Sequence, residues 1–598
     1  MRGSIDSRAR AACALALTCV YLTSAVGCGG MGSYGGGSTA SESASTTAGG
    51  ESSDSITNVQ EQGVDEGGIV KMHGEHLVVL RRGRLFSVDL AGGGMRMLSV
   101  ANAYAPGHRP ADWYDEMLVH GDTIVVIGFS YADSATEIGL LEIDAAGSIT
   151  HRGAFQLRSN DYFSSRNYAS RVVGDRLVLY VPHALGRSRV EAGRRRWDLS
   201  FPALRAVGGA WAEVTGPVHE DLESSSAQGV LHTVVMCDLG GDRDALGCRA
   251  QGMVGPPGRT FYVSRDAVYV WIADRWSGGG QGVRPTDAIV YRLPLDGLAT
   301  GAVRAWGVPT DQLSFREADD GMLHVLVRAE GGGDGMWGPE IGRGDLALAS
   351  LPIAAFGAEG RAVLPASYRA LPRPGDGAMQ NRFVGDWVLY GTGDAWGWGS
   401  DHRGDGTLFA HSWRHGGPAY RVDVGHGVER IEAMGQAAVA IGRRDGDLHF
   451  SSVALAGGPQ QVDSYVLAGA SQGETRTHGF FYRDDGEGQG VLGLPVQGGG
   501  AGWHQLQHGA ASVFYLRVSG QRFAALGGLS ASGLAQMDDH CVSSCTDWYG
   551  NARPIFWRGR VFALLGYELV EGRMHVDRMV EVNRLVMTAR WSQLASRY

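Results

Sequence analysis

Lysine is nearly missing from this 598-residue chain: of its 53 basic residues one is lysine, Lys71, and the rest are arginine. Such usage points to a place that needs a compact ammonium in preference to a planar guanidinium fork. Charged residues are sparse as well, 19 % against 44 % hydrophobic, which excludes a disordered polyelectrolyte and leaves ample material for a core. The formal net charge of −10 gives no support to non-specific nucleic-acid binding. Amphipathic helical patterns do not alternate with the strand-like runs, which argues against a parallel α/β sheet. Catalytic signatures are absent too. The 19 histidines are scattered without an HExxH pair, and there is no G-x-S-x-G elbow, Walker loop, EF-hand loop or Asp-box. No catalytic set, metal site or cofactor is assigned.

Glycine is what the chain has in excess. Its 92 glycines are about twice ordinary usage and follow no three-residue period, so collagen is excluded. They punctuate short apolar runs, as in a chain that turns often.

Residues 1–27 carry Arg2, Arg8 and Arg10, then a short apolar stretch (AACALALTCVYLTSAVG) ending in Ala25-Val26-Gly27 before Cys28. A charged start and a short apolar run read as an export signal. The end of that run resembles the bacterial lipobox, which implies cleavage before Cys28 and its acylation; Ala25 stands where Leu is usual. An ordinary signal peptide cut near the same place is the alternative. Cleavage leaves a chain near −12. Gly29 in place of Asp removes the inner-membrane retention cue, so an outer-membrane lipoprotein is expected. Residues 28–56 are a Gly/Ser/Thr linker with a reach of roughly 25–30 Å.

From residue 69 onward one pattern recurs: a short apolar run, a Gly-Asp-like turn, then a β-branched run. SRVVGDRLVLYVP (170–182) and NRFVGDWVLYGTG (381–393) are examples, and each is a hairpin signal. Units recur every 40–60 residues or so, the periodicity of propeller blades, with long insertions in the third and last units. The expected fold is all-β, one β-propeller over residues 57–598 with about eight blades, seven being the next choice. Trp271, Trp387 and Trp557 are expected between blades.

The stretch NVQEQGVDEGGIVKMHGEHLVVL (58–80) resembles the opening signature of the secreted bacterial β-propeller-domain family. Gln60, Gly63, Val64, Asp65, Glu66, Ile69, Val70, Lys71 and Gly74 match it, and YFSSRNYASRVVGDRLVLY (162–180) supplies a second match. Gly68 replaces an Asp and Met72-His73 replace Thr-Asp, which weakens any cation-binding proposal. The resemblance implies a large exported propeller with no established reaction. Asp65, Glu66 and Lys71 are read as a clasp at the seam of the ring, with a ligand site in the central channel as the alternative.

Seven cysteines are present. Once Cys13 and Cys19 leave with the signal and Cys28 is lipidated, four remain, and in an oxidising compartment they pair as Cys237–Cys248 and Cys541–Cys545. A zinc site at Asp538, Asp539, His540, Cys541 and Cys545 lacks a second ligand pair nearby. The acidic RDDGEGQG (483–490) is calcium-compatible in residue type but not in spacing. The insertion 183–229, with Arg194-Arg195-Arg196 beside Trp197, reads as a solvated loop or an anion- or glycan-contacting one. The loop 391–406 holds Trp396, Trp398, Asp394 and Asp401, aromatic-plus-carboxylate chemistry that suits a sugar, although Gly-rich turns also use Trp as packing.

The functional expectation is a monomeric envelope lipoprotein, anchored to the membrane at Cys28, that binds or scaffolds protein or glycan partners. An envelope hydrolase or lyase with a central-channel site is the alternative, and an assembly factor that recruits other envelope proteins is a third reading. A polar or metal-occupied channel would favour the enzyme; an aliphatic plug and an aromatic-lined face would favour binding.

Overall fold

The computed structural model describes residues 57–587, apart from 163–168, 187, 192–193, 198, 200, 221–228, 242–245, 274–285, 335–341, 358–360, 376–377, 394–405, 499–510, 533–540 and 546–550. Among these residues the regular structure is β-strand, with single 3-10 turns and no α-helix. Apart from one separate two-stranded ribbon, the strands form nine sheets in sequence order, antiparallel but for two short parallel edge pairs and built from residues 70–102, 113–158, 170–255, 258–306, 308–371, 378–423, 430–467, 470–530 and 552–586, numbered here as blades 1 to 9. The turn glycines anticipated from the pattern do what a tight hairpin requires. Gly74, Gly174, Gly385 and Gly435 all sit at φ between 55° and 59°, a conformation that costs glycine nothing and side-chain-bearing residues more.

No blade buries its faces alone. Each of the nine blade-to-blade contacts has its own apolar cluster, including one in which Val79, Phe86 and Leu77 of blade 1 meet Phe562, Leu564 and Ile555 of blade 9. That last cluster closes the ring, and the fold is a single β-propeller. Blades 1 and 9 each contain only strands consecutive in sequence, so the seam is joined by packing and not by a shared sheet. Trp271 and Trp557 lie in inter-blade clusters, and Trp387 packs against one.

The ring has nine blades where about eight are expected. Blade 8 is the unit that the pattern misses, for two physical reasons. Its inner strand is broken into Ala470–Gln472, a 3-10 turn and Phe481–Gly486. Its hairpin turn is the acidic stretch at 483–490, with Gly486, Glu487 and Gly488 all at positive φ, so this stretch is a turn between paired strands. The insertion 183–229 runs along the outer edges of two blades. Its strand Ala203–Ala206 extends blade 2, Val218–His219 extends blade 3, and Ser188–Glu191 pairs with Arg194–Trp197.

Phe562 is fully buried at the seam, so Phe562→Ala should cost about 3–5 kcal/mol. Denaturant unfolding measures it, and a loss under about 1 kcal/mol would show that the seam is loosely packed.

Candidate functional site

The innermost strands of a propeller line its central channel, and here they carry charges. Lys71, Arg171, Arg382 and Glu432 each stand three residues before a turn glycine, on the first strands of blades 1, 3, 6 and 7, and each is buried. Asp115 and Glu116 come from blade 2, Glu474, Arg476 and His478 from blade 8, and Arg553 from blade 9.

These groups enclose the segment that precedes blade 1. Asn58 Nδ2 donates to Glu432 Oε2 at 3.1 Å and to the Thr477 carbonyl at 3.2 Å. Gln60 Nε2 donates to the carbonyls of Gln312 and Phe315 in blade 5, at 2.9 and 3.1 Å. Glu61 accepts from the Tyr262 hydroxyl of blade 4 at 2.6 Å. Gly63, at φ +84°, turns the chain against Arg265. Asp65 and Glu66 then pair as a strand with Val172 and Arg171 of blade 3, and Gly68 bridges to Met117 of blade 2. Gly67 has no room for a side chain: a Cβ would lie 2.6 Å from Ser170 Oγ and 2.9 Å from Glu116 Oε2. Residues 57–68 pass through the centre of the ring and touch seven of its blades, blade 1 through Lys71.

Glu66 is the hub, 2 % exposed. Its Oε1 accepts from the Gln60 N–H at 3.0 Å, and its Oε2 lies 3.0 Å from His478 Nε2. Burial pushes this carboxyl up, but the charge of Arg171, the His478 hydrogen bond and the Gln60 N–H outweigh it and hold it at about 2. Burial lowers His478 against the pull of Glu66, so a neutral ring donates through Nε2–H at neutral pH. Lys71 Nζ meets three acceptors, Asp65 Oδ1 at 2.5 Å, the Glu66 carbonyl at 2.7 Å and Thr57 Oγ1 at 3.4 Å. Three acceptors around one point match the three N–H bonds of an ammonium and not the flat fork of a guanidinium.

Around this hub the charges pair with one another. Arg430 Nη1 bonds Glu432 Oε1 at 2.9 Å and Arg553 Nη1 bonds Glu474 Oε2 at 2.8 Å. Arg476 of blade 8 reaches Asp115 of blade 2, on the other side of blades 9 and 1, at 3.2 Å. Burial and the neighbouring Asp115 charge push Glu116 up to about 7, against donors at Ser170 and the Ala169 N–H.

Residues 54–339 match the family model described as Beta propeller domain. The chain carries a β-propeller domain. No curated protein matches the chain. Among solved structures, a putative 6-phosphogluconolactonase from Bacteroides fragilis is 10 % identical, with 75 % of this chain and 90 % of that chain covered and a TM-score of 0.30. A prolyl endopeptidase is also 10 % identical, over 72 % of this chain and 55 % of that one, at a TM-score of 0.32. Sqt1 of Saccharomyces cerevisiae is 10 % identical, over 62 % and 79 %, at 0.27.

Of the residues singled out in the sequence, the propeller brings Asp65, Glu66 and Lys71 together in its channel. Cys237–Cys248 and Cys541–Cys545 are disulfides, which takes the latter two thiols away from zinc. Cys28, Trp396 and Trp398 lie outside the described residues. Sequence reasoning missed Arg171, Glu116, Glu432, Glu474, Arg476, His478 and Arg553. For Arg171 and Glu432 the signal was a charge three residues before the turn glycine, repeated in four units.

The Glu66 shift, from 4.5 to about 2, corresponds to stability on the order of 3 kcal/mol at neutral pH. Because the folded-state value is depressed, that contribution is present above about pH 4.5 and fades as pH falls toward 2. Glu66→Gln should therefore unfold at lower denaturant than wild type at pH 7, with the gap narrowing through this window; an equal gap at every pH would contradict the charge argument. Lys71→Met should cost about 3 kcal/mol, and Lys71→Arg should not restore it; a fully stable Lys71→Arg would remove the case for an ammonium.

Proposed function

We propose that this propeller is a binding or scaffolding module of the cell envelope for protein or glycan partners, held to the membrane by a lipid anchor at Cys28. The observation that supports this reading is the state of the channel. It is polar, as an enzyme's would be, but it is filled by residues 57–68, and its charges are paired with that segment and with one another. A substrate would have to displace Glu66 from Arg171 and His478, and stranding a buried charge costs several kcal/mol. The faces and loops of the ring carry no such penalty, and propellers present many loops from one rigid body. A hydrolase or lyase with a central-channel site, the competing reading, requires the segment to leave.

Two measurements test the proposal. Cys28→Ala should move the protein from the membrane fraction to the soluble one, and unchanged membrane attachment would overturn the anchor. Residues 57–598, immobilised and exposed to detergent-solubilised envelope, should retain a defined protein or glycan that Glu116→Gln still retains. Retention lost in that stably folded variant would move the site into the channel.

A further inference from the structure

The connector between blades 8 and 9 does not stay beside the blades it joins. Blade 8 ends at Ser530 and blade 9 begins at Ala552, yet residues 541–545 lie against blades 1 and 2. The Ser544 N–H donates to the Asp112 carbonyl at 3.0 Å. Its Oγ accepts from the Tyr114 N–H at 2.7 Å and donates to the Tyr114 carbonyl at 3.1 Å. Ser543 Oγ donates to the Ala111 carbonyl at 2.8 Å, and Ser543 is 2 % exposed. A Cβ added to Gly83, in the hairpin of blade 1, would lie 3.2 Å from Ser543 Cβ. Asn551 Oδ1 accepts from Arg81 of blade 1 at 2.6 Å. Because no sheet is shared across the seam, this connector is a polar pin that ties the lead-in of the last blade to the first two.

The pin is shaped by the Cys541–Cys545 disulfide. Ser544 sits at φ +52°, a left-handed conformation that a serine in an open chain leaves readily. The two disulfides of the propeller differ in access. Cys237 is 1 % exposed and its partner Cys248, opposite it on paired strands of blade 3, is half-buried, whereas Cys541 is half-buried and Cys545 is exposed. Thiol–disulfide exchange needs a sulfur that an attacking thiolate can reach.

We propose that Cys541–Cys545 is a reducible clasp, opened by an envelope dithiol such as a thiol–disulfide oxidoreductase, which sets whether the ring is pinned across its seam. One thiolate of the dithiol attacks Cys545 Sγ, a mixed disulfide forms, and Cys541 leaves as a thiolate. The second thiol of the reductant resolves the mixed disulfide, so the clasp gains two electrons and two protons and the reductant leaves as a disulfide. Without the cross-link, residues 541–545 regain backbone freedom and Ser543 and Ser544 leave blade 2.

Dithiothreitol acting on the folded, full-length protein tests this. Two thiols per chain should be released and map by alkylation and mass spectrometry to Cys541 and Cys545, with Cys237–Cys248 intact. Hydrogen exchange at residues 111–114 should then rise at least about tenfold, the ratio that 1.4 kcal/mol of lost protection gives. Ser544→Ala should raise the same exchange with no thiol released, and the Cys541→Ser/Cys545→Ser double variant should match the reduced protein and ignore dithiothreitol. No release from the folded protein, release from both disulfides at once, or release with exchange at 111–114 unchanged would each overturn the proposal.

Discussion

Glu66 is a carboxylate with almost no water around it, and the ring is assembled so that it can stay charged. An ion of that kind is tolerated only where opposite charge and hydrogen bonds replace its hydration. The replacement comes from three directions: Arg171 on blade 3, His478 on blade 8, and the Gln60 N–H of its own segment. Arg171 and His478 are buried as well, and Arg171 is held in turn. Arg171 bonds Gln312 on blade 5 and the Ser170 carbonyl. Removing the carboxylate would therefore take one partner from a buried guanidinium and one from a buried imidazole.

Propellers commonly need a device that joins the last blade to the first, since every blade relies on its neighbours for burial. Here blades 1 and 9 share no strand, and the joining is distributed. An apolar cluster fills the seam, Arg558 and Arg560 of blade 9 reach Glu75 and the carbonyls of Leu90 and Gly94 in blade 1, and the disulfide turn at 541–545 pins blade 2 from above. The channel segment adds a hub to which the blades are fastened radially. Such a plan separates two duties: apolar packing between blades supplies most of the stability, and polar contacts at the centre fix which blade faces which.

Much of the architecture was legible because hairpins announce themselves locally. A turn glycine between β-branched runs has few other solutions, and SRVVGDRLVLYVP could hardly be anything else. Blade 8 escaped because its cues are weak: its inner strand is interrupted at Thr477–Gly479, and its turn reads as an acidic loop. The centre was less legible. Lys71 stood out only because lysine is otherwise missing, whereas Arg171 and Arg382 resemble any of the other arginines until the strand carrying them is known to face the channel. Which charges meet depends on the number of blades and the width of the ring, and no local pattern encodes either. The Arg476–Asp115 pair, 361 residues apart, exists only because nine blades close.

Sequence separation also governs how the molecule can be made. Residues 58–66 are among the first of the mature body to be synthesised, yet their partners at Glu432, Thr477 and His478 lie 374, 419 and 412 residues further on. The hub cannot form until eight blades exist, so the most buried charges are satisfied last. Long-range contacts of this kind slow folding and leave intermediates exposed. Local hairpins and blade-to-blade packing must therefore build the ring first, around a segment already lying in its future channel. In this order the polar centre acts as a check on closure: a ring with a blade missing or misplaced would leave Glu66 and its partners buried and unpaired, and that cost would favour reopening over trapping the wrong ring.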